Sequence, residues 1–362
     1  MGVGVRVLIA WANDSSVNLG VRALGRGSQD LLRSVWPDAE FRYLNYGARQ
    51  PEVPWSPRAL LRERATGRLG MQRWLSAFDL VWDTRSGDSF ADIYGLTRHT
   101  TMSLVHEFAV QAGTEVILAP QTIGPFRTRR GRALAKRNLR RSRLVFARDA
   151  VSARAAADLG RTVAATTSDL VFGIDQPEPA AEGHDVLLNV SGLLWSENPH
   201  VDAGKYRDAV HRIVEGLLAA GRRVTVLPHV LDSASHDNDV PVSRELAAHY
   251  GGRIGLAVPA DLDEARSLIA GSSLVIGARM HACLNALSTG TPAVAMAYSR
   301  KFAPLMDAVG WDRVVSLTEE GAWADAVLAH AAASGLTEDA AAARDAGRRL
   351  LEPLVAELKR SR

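Results

Sequence analysis

The chain has 362 residues with 47% hydrophobic and 23% charged side chains, the balance of an ordinary globular protein that is long enough for two domains. The formal net charge of +3 excludes a nucleic-acid-binding function that rests on overall charge. The single cysteine, Cys283, excludes an internal disulfide and a cysteine-based zinc cluster, as is usual in a reducing cytoplasm. Because we find no signal peptide and no apolar run of about 20 residues that would cross a bilayer, we expect a cytoplasmic protein.

The first half of the chain alternates short apolar runs with longer helical patterns. The apolar runs are nearly continuous, which is typical of parallel strands that are covered on both faces. They predict strands at residues 5–10, 40–43, 80–83, 116–119, 144–147 and 163–166.

A linker is predicted at GIDQPEPAAEGHD, residues 173–185, where prolines, glycines and acids interrupt the alternation. The alternation then resumes and predicts strands at residues 186–190, 224–227, 254–257, 274–277, 293–295 and 314–316. Two such halves predict an α/β protein with two facing doubly wound sheets. We expect the domains to span residues 1–174 and 175–362, the second closing with a C-terminal helix.

The loops that follow the first-half strands hold several polar candidates, because ligands of doubly wound sheets bind beyond the carboxyl ends of the strands. Ser16 and Asn18 precede a helix and are candidates for substrate binding or for helix capping. Asp88 follows a glycine that permits close approach of a ligand, and Gln121 lies between prolines in a loop that is either a rigid turn or a sugar or phosphate contact. Arg148 ends a strand before a helix, where it either holds an anion or forms a structural Arg–Asp pair.

The loops of the second half add a tryptophan and a histidine-rich segment. Trp195 is a candidate for stacking on a sugar, as is Trp55 in the first half, unless both pack within loops. His229 comes directly after a strand and is followed by His236, Asp237 and a further aspartate at 239. The spacing of this group matches no zinc-binding helix motif, and we therefore predict no metal.

The segment SLVIGARMHACLNALSTGTPAVAM, residues 273–296, places Arg279 and His281 between a predicted strand and a helix. The first N–H groups of a helix carry partial positive charge, so this arrangement suits a carboxylate or a phosphate. His281 can also transfer a proton near neutral pH. The alternative is a salt bridge beside a capping histidine.

A basic run at residues 127–143 contains many cations and no acids. It has no interleaved aromatic residues that would stack on bases, which argues against nucleic acid. It indicates a solvated helix face, or a surface for an anionic membrane or a lipid diphosphate.

Taken together, these loops resemble the polysaccharide pyruvyl transferase family. The matching segments occur in the family's order over residues 5–310 and read GDSFADIYG, APQTIGPF, FARDAVS, SDLVF, NVSGLLW, LPH and GARMHACLNALSTGTPAVAMAY. The first loop, ANDSSVNLG, departs from the glycine-rich version that is common in the family.

The resemblance implies two facing Rossmann-like domains in a GT-B-like architecture. It implies a transferase that moves a pyruvyl group from phosphoenolpyruvate onto two hydroxyls of a sugar, forms a cyclic ketal and releases phosphate, in polysaccharide or glycolipid biosynthesis. No cofactor is implied, and the acceptor is a carbohydrate, free or lipid-linked. By motif, Arg279 and His281 belong to the phosphoenolpyruvate site, and Arg148 is a second anion contact from the other domain. Because ketal formation needs a proton at the methylene carbon of the donor, we expect His281, beside the arginine, to be the acid. We place the base at Asp88 from its position alone.

Two alternatives remain from the sequence. A GT-B glycosyltransferase would use a nucleotide sugar and would carry a ribose-binding acidic residue late in the second domain, where we find no clear acidic pair. A non-catalytic relative would bind an anion or a sugar without turnover. Both predict the same fold, so they differ only in their chemistry.

Overall fold

A computed structural model describes residues 4–45, 56–233 and 237–361, and Trp55 and His236 therefore lie outside the described residues. The chain divides into two units. The N-terminal unit comprises Met1–Asp14, Leu24–Gly173 and Leu350–Arg362, and the C-terminal unit comprises Ser15–Ala23 and Ile174–Arg349.

This division differs from the expected domains at two short segments. Residues 15–23 fold with the C-terminal unit, because the backbone of Val17 accepts a hydrogen bond from Leu231. The described residues of the C-terminal segment, 350–361, belong to the N-terminal unit, where Leu351 lies against Gly173. Neither exchange is visible in the alternation of strands and helices.

The N-terminal unit contains a six-stranded sheet. Its strands are β1 (Arg6–Ala10), β2 (Glu40–Leu44), β3 (Leu80–Asp83), β4 (Glu115–Leu118), β5 (Leu144–Ala147) and β6 (Ala165–Thr166). They pair in parallel in the order β2-β1-β3-β4-β5-β6. Residues 7–10 and 80–83 are buried throughout, as their near-continuous apolar sequence predicts for a sheet that is covered on both faces.

The helices of this half are α1 (Leu19–Val35), α2 (Pro57–Thr66), α3 (Met71–Leu75), α4 (Leu96–Gln111), α5 (Arg129–Arg141) and α6 (Ala150–Asp158). Most begin where the sequence offers a side-chain cap. Thr128 caps α5 by accepting from the Gly131 N–H, and Asp149 caps α6 by accepting from the Ser152 N–H.

The C-terminal unit contains the second six-stranded parallel sheet, in the order β12-β11-β10-β7-β8-β9. Its strands are β7 (His184–Asn189), β8 (Val224–Val226), β9 (Gly255–Leu256), β10 (Ser272–Gly277), β11 (Ala293–Ala297) and β12 (Val314–Ser316). All the strands that the sequence predicts in the two halves are present, so the α/β prediction with two doubly wound sheets is confirmed.

The remaining helices are α7 (Gly192–Trp195), α8 (Ala203–Ala219), α9 (Asp239–His249), α10 (Leu262–Ala270), α11 (Met280–Thr289), α12 (Phe302–Ala308), α13 (Trp323–Ala331), α14 (Leu336–Arg349) and α15 (Glu352–Arg360). Among the described helices, none is both long and apolar enough to cross a membrane. Strands β10, β7 and β8 are adjacent and parallel, so their carboxyl ends lie at the same edge of the sheet. The candidate residues of the C-terminal unit follow these strands and therefore collect at that edge.

Candidate active site

Arg279 is held by its backbone at the carboxyl edge of the C-terminal sheet. It is the N-cap residue of α11, with extended backbone angles. Its N–H donates to Oδ1 of Asn189, the last residue of the adjacent strand β7, at 2.9 Å. The turn from β10 is tight, since a Cβ atom on Gly277 would lie 2.9 Å from the Cys283 sulfur. These contacts fix where the arginine side chain starts.

The Arg279 guanidinium forms ion pairs with two aspartates. Nη2 lies 2.6 Å from Oδ1 of Asp239, and Nη1 lies 2.6 Å from Oδ1 of Asp237. Burial lowers the pKa of Arg279, but the carboxylates of Asp239 and Asp237 outweigh burial and raise its pKa overall. The arginine therefore stays charged at any physiological pH.

The two aspartates differ in what holds them. The Asp239 side chain is fully buried and accepts backbone N–H groups from Gly192 at 2.9 Å and from Val230 at 2.9 Å, so its orientation is fixed. The Asp237 side chain is 40% exposed. One side of the Arg279 fork is therefore permanently occupied, whereas the other side holds a carboxylate at the surface.

The start of α1 packs against this site within the C-terminal unit. The Leu19 N–H donates to the His229 carbonyl at 3.1 Å, next to an antiparallel bridge between Asn18 and Val230. Asn18 Oδ1 accepts from the Gly20 N–H at 2.9 Å, and Ser16 Oγ accepts from the Asn18 N–H at 3.2 Å. The Asn18 side chain thus caps α1, whereas the Ser16 hydroxyl accepts within the turn that precedes the helix. The predicted substrate contacts of both side chains stay predictions.

His281 lies in the first turn of α11 and is half-buried. Its ring lies directly against Gly20, because a Cβ atom built there would be 2.7 Å from Nδ1 of His281. Only glycine leaves room for the imidazole at this position.

His229 lies close to both Arg279 and His281. It is 1% exposed, and burial lowers its pKa to about 3, with the charges of His281 and Arg279 adding to the shift. Its Nε2 atom is 3.2 Å from the side-chain nitrogen of Asn285, which also donates to the His281 carbonyl at 2.8 Å. The structure therefore brings Arg279, His229 and His281 together, and their predicted roles stay predictions.

Trp195 lies in the core of the C-terminal unit. It is 7% exposed, meets Tyr206 edge to face at 6.1 Å, and donates from Nε1 to Glu245 at 3.2 Å. These are the contacts of a packed residue, and the predicted contact of Trp195 with a sugar stays a prediction.

The loop after β3 in the N-terminal unit is strained. Arg85 and Ser86 have φ values of 48° and 51°, in the left-handed region that side chains disfavour. A buried ion pair holds the turn, because Arg85 Nε lies 2.8 Å from Oδ2 of Asp83. The loop presents Asp88 as a half-buried carboxylate that accepts from the Tyr94 hydroxyl at 2.9 Å.

Gln121 is fully buried beneath this edge. Its Nε2 donates to the carbonyls of Asp83 and Ala119, both at 3.0 Å. Its Oε1 has no hydrogen-bond partner within the described part of the chain. The amide nitrogen of Gln121 therefore stabilises the turn, as the rigid-turn alternative expects. The predicted contact of Gln121 with a sugar or phosphate stays a prediction.

Arg148 is fully buried in the N-terminal unit. Nη1 lies 2.6 Å from Oδ2 of Asp169, and Nη2 donates to the Thr122 hydroxyl at 2.9 Å. The structure thus contains a structural Arg–Asp pair at Arg148, but the partner is Asp169, because Asp149 caps α6. The predicted contact of Arg148 with a substrate anion stays a prediction.

The histidine and aspartate residues that follow β8 form no metal site among the described residues. Over residues 4–45, 56–233 and 237–361, no three His, Cys, Asp or Glu side chains are grouped as metal ligands. Asp237 and Asp239 instead pair with Arg279.

A family model for polysaccharide pyruvyl transferases matches residues 18–300. The chain belongs to this family. The match covers more than half of the chain, and it includes the described candidate residues of both units except Ser16. No curated protein sequence matches this pyruvyl transferase family member significantly.

Three solved structures with the same fold contain UDP or UDP-GlcNAc. The S. aureus MnaA structure with UDP aligns with a TM-score of 0.60 and 12% identity over 98% of this chain and 94% of that one. Anabaena Alr3699/HepE with UDP and glucose aligns with a TM-score of 0.57 and 12% identity over 99% and 98%. Neisseria meningitidis UDP-GlcNAc 2-epimerase with UDP-GlcNAc aligns with 0.55 and 10% identity over 97% and 100%. At these identities the similarity shows the fold alone, and it confirms a GT-B-like architecture of two Rossmann-like domains.

Sequence reasoning missed three polar residues of this pyruvyl transferase family member. Asn189 is the last residue of a strand, which is a signal that the strand-end rule offers. Asn285 follows His281 by four residues on the same helix face, a spacing that also signals contact. Arg266, which donates to Asn285 Oδ1 at 2.9 Å, lies on α10 and gives no signal in the sequence.

Proposed function

We propose that the protein transfers the pyruvyl group of phosphoenolpyruvate onto two hydroxyls of a carbohydrate acceptor, forming a cyclic ketal and releasing phosphate. The observation that carries this proposal is that Arg279 and His281 both lie at the start of α11, in a member of the pyruvyl transferase family. A donor with a carboxylate and a phosphate near one reacting carbon needs fixed N–H donors with positive charge, which a guanidinium and a helix N-terminus supply.

In the proposed complex, an anionic group of the donor takes the place of the Asp237 carboxylate on Arg279. Asp239 keeps the guanidinium oriented, because it is buried and bound by backbone N–H groups. The exposed partner, Asp237, is the one that a ligand can displace. Because the charged Arg279 guanidinium is already oriented before the donor binds, we propose that donor binding needs no metal ion or cofactor.

The chemistry needs one proton at the donor's methylene carbon. One acceptor hydroxyl oxygen bonds to C2 of phosphoenolpyruvate while C3 takes a proton and becomes a methyl group. The C2–O bond to phosphate then breaks, phosphate leaves with the bonding electrons, and the second hydroxyl oxygen bonds to C2. The base accepts the two hydroxyl protons in turn; one of them restores the acid, and the other leaves with phosphate.

We assign the acid to His281 and the base to Asp88. An imidazole can carry and deliver a proton near neutral pH, and His281 stands two residues from Arg279. Two observations support Asp88 as the base: it lies in the loop after β3, and the Tyr94 hydroxyl orients its carboxylate. Replacing Asp88 with Asn should lower turnover by about 10²–10⁴-fold with donor binding kept.

The test of the proposed function is incubation with phosphoenolpyruvate and a panel of glycans and lipid-linked glycans. Phosphate release together with a gain of product mass supports the proposal, with undiminished activity in the presence of a chelator. Activity that a chelator abolishes and Mg²⁺ restores would contradict metal-free donor binding. A UDP-sugar arm distinguishes the alternatives, because release of UDP identifies a glycosyltransferase, and donor binding without turnover identifies a non-catalytic relative.

The basic run folds largely as α5, and two groups among its cations differ in their partners. Arg137 and Arg141 pair with Glu107 at 2.7 and 3.2 Å. Arg129, Lys136 and Arg140 are exposed and follow one line along the helix, at spacings of seven and four residues. No described acidic side chain pairs with these three cations.

We propose that this line of cations contacts an anionic bilayer at the cytoplasmic face of the inner membrane, where a lipid-linked acceptor would be presented. Electrostatic attraction of this kind strengthens binding about five-fold for each cation near the surface. The test is sedimentation with phosphatidylcholine vesicles that contain or lack phosphatidylglycerol.

The matched variants for this test are Lys136→Glu/Arg140→Glu on α5 and Arg348→Glu/Arg349→Glu at the exposed end of α14. Both change the net charge equally, but only the first pair should release the protein from anionic vesicles. Equal sedimentation of the two variants would show that binding follows net charge and not the α5 line.

A further inference from the structure

We propose that Asn285, held by Arg266, fixes His229 as the neutral tautomer with its proton on Nδ1. In this form His229 serves pyruvyl transfer as an uncharged hydrogen-bond donor and leaves proton delivery to His281. The tautomer follows from contacts within the C-terminal unit alone, whereas the role in catalysis rests on the proposed function.

The orientation of the Asn285 amide is fixed by two partners of opposite kind. Its Oδ1 accepts from Nη1 of Arg266 at 2.9 Å, and a guanidinium has only donors. Its Nδ2 donates to the carbonyl of His281 at 2.8 Å, and a carbonyl only accepts. A flipped amide would place a donor against Arg266 and an acceptor against the His281 carbonyl. The amide therefore has one orientation.

With the amide fixed, the second proton of Asn285 Nδ2 lies toward Nε2 of His229, at 3.2 Å. Nε2 must accept this hydrogen bond, so it carries no proton. A neutral imidazole has one N–H, which then lies on Nδ1. Protonation of Nε2 would set two donors against each other in a site from which water is excluded.

The surroundings of His229 also disfavour a second proton. Burial lowers its pKa to about 3, and the nearby charges of His281 and Arg279 act in the same direction. A general acid must gain and lose a proton in each turnover near neutral pH, which a ring held neutral does not do. His229 is therefore excluded as the general acid of the proposed reaction.

Arg266 makes Asn285 a rigid support. The arginine is 1% exposed and also donates to Ser288 Oγ at 2.9 Å and to the Asp175 carbonyl at 3.2 Å. Asn285 thus connects the α10 arginine to the side chain of His229 and to the backbone of His281. We class Asn285 as a positioning residue, because it acts through these two histidines.

The first experiment reads the tautomer directly. Nitrogen–proton correlation spectra of the full-length protein, with ¹⁵N-labelled histidine, should show His229 as neutral and protonated on Nδ1 from pH 5.5 to 8. In Asn285→Asp, the new carboxylate accepts from Nε2, and the His229 spectrum should change to a form that is protonated on Nε2. An Nε2-protonated or charged His229 in the parent protein would overturn the assignment, whether or not any acceptor reacts.

The second experiment reads the role of His229 in turnover. The side-chain amide of His229→Asn can donate near the position of Nδ1, whereas that of His229→Gln places its nitrogen near Nε2. We expect His229→Asn to lose less kcat than His229→Gln and to keep the pH profile of the parent protein, with a larger rise in KM for phosphoenolpyruvate in His229→Gln. A loss of 10²-fold or more in the kcat of His229→Asn would identify a proton carrier and overturn the role. If no acceptor reacts with the parent protein, the proposed function fails while the spectra still decide the tautomer.

Discussion

Arg148 and Arg279 look alike in the sequence, since each stands between a strand and a helix. In the structure, Arg148 is fully buried, and its guanidinium N–H groups donate to Asp169 and Thr122. Arg279 is 8% exposed, and one of its two carboxylate partners, Asp237, lies at the surface. Of the two arginines, only Arg279 thus has a carboxylate partner at the surface that a ligand could replace. This difference supports the proposal that Arg279 binds the phosphoenolpyruvate donor, whereas the contact of Arg148 with a substrate anion stays a prediction.

The strongest way to test this comparison is to remove the buried pair. Replacing Arg148 with Met leaves the Asp169 carboxylate buried without its cation, which should lower the free energy of unfolding by about 3–5 kcal/mol. Urea unfolding measures the loss. The double variant Arg148→Met/Asp169→Leu should recover most of it, and Arg143→Ala, which breaks an exposed pair with Glu115, should cost less than about 1 kcal/mol. A stable Arg148→Met with weakened donor binding would break the comparison.

Arg279→Lys should reveal the opposite behaviour. An ammonium keeps the charge beside Asp239 but cannot span a second anion as a planar fork does. Donor affinity should fall about ten- to a hundred-fold, corresponding to the loss of about 1.5–3 kcal/mol of charge-assisted hydrogen bonding. Calorimetric titration with phosphoenolpyruvate measures this change. Affinity equal to the parent would remove Arg279 from the donor site.

Gly20→Ala tests the packing of α1 on His281, the proposed acid. A Cβ atom would lie 2.7 Å from Nδ1 of His281, so the imidazole must move. Overpacking of this kind costs about 1–3 kcal/mol, and turnover should fall with little change in donor affinity. The control is Gly204→Ala, at the same second position of α8, where the nearest atom is the Asp202 carboxylate at 3.1 Å. Equal turnover in both variants would show that the His281 position is not critical.

The smallest expected effect concerns acid stability and compares one histidine from each unit. Burial lowers the pKa of His229 to about 3 and that of His99 to about 4, from an ordinary value of 6.5. Below pH 6.5 the unfolded chain binds protons that the folded chain does not, so the free energy of unfolding falls as pH decreases through this window. The slope should be at most about 1.4 kcal/mol per pH unit for each histidine. Urea unfolding of His229→Gln and His99→Gln between pH 6.5 and 4.5 should show shallower slopes, and unchanged slopes would contradict burial of the neutral rings.

The sequence predicts the strands well because parallel buried strands leave near-continuous apolar runs, as at residues 80–83 and 274–277. The strand-end rule also locates Arg279 and His281. It does not reveal partners, since Asp169 follows Arg148 by 21 residues and Asp239 precedes Arg279 by 40. Burial of a charged side chain depends on such long-range contacts, and composition does not encode them. The exchange of residues 15–23 between the units is hidden for the same reason.

The most direct test of pyruvyl transfer at this site is the fate of the donor's methylene carbon in D₂O. With phosphoenolpyruvate and a reactive acceptor, the parent protein should give a ketal whose methyl group carries one deuterium, read by mass spectrometry and NMR. His281→Gln should bind the donor but turn over about 10²–10⁴-fold more slowly. A product without deuterium would contradict proton delivery to C3, and near-parental turnover of His281→Gln would place the acid elsewhere.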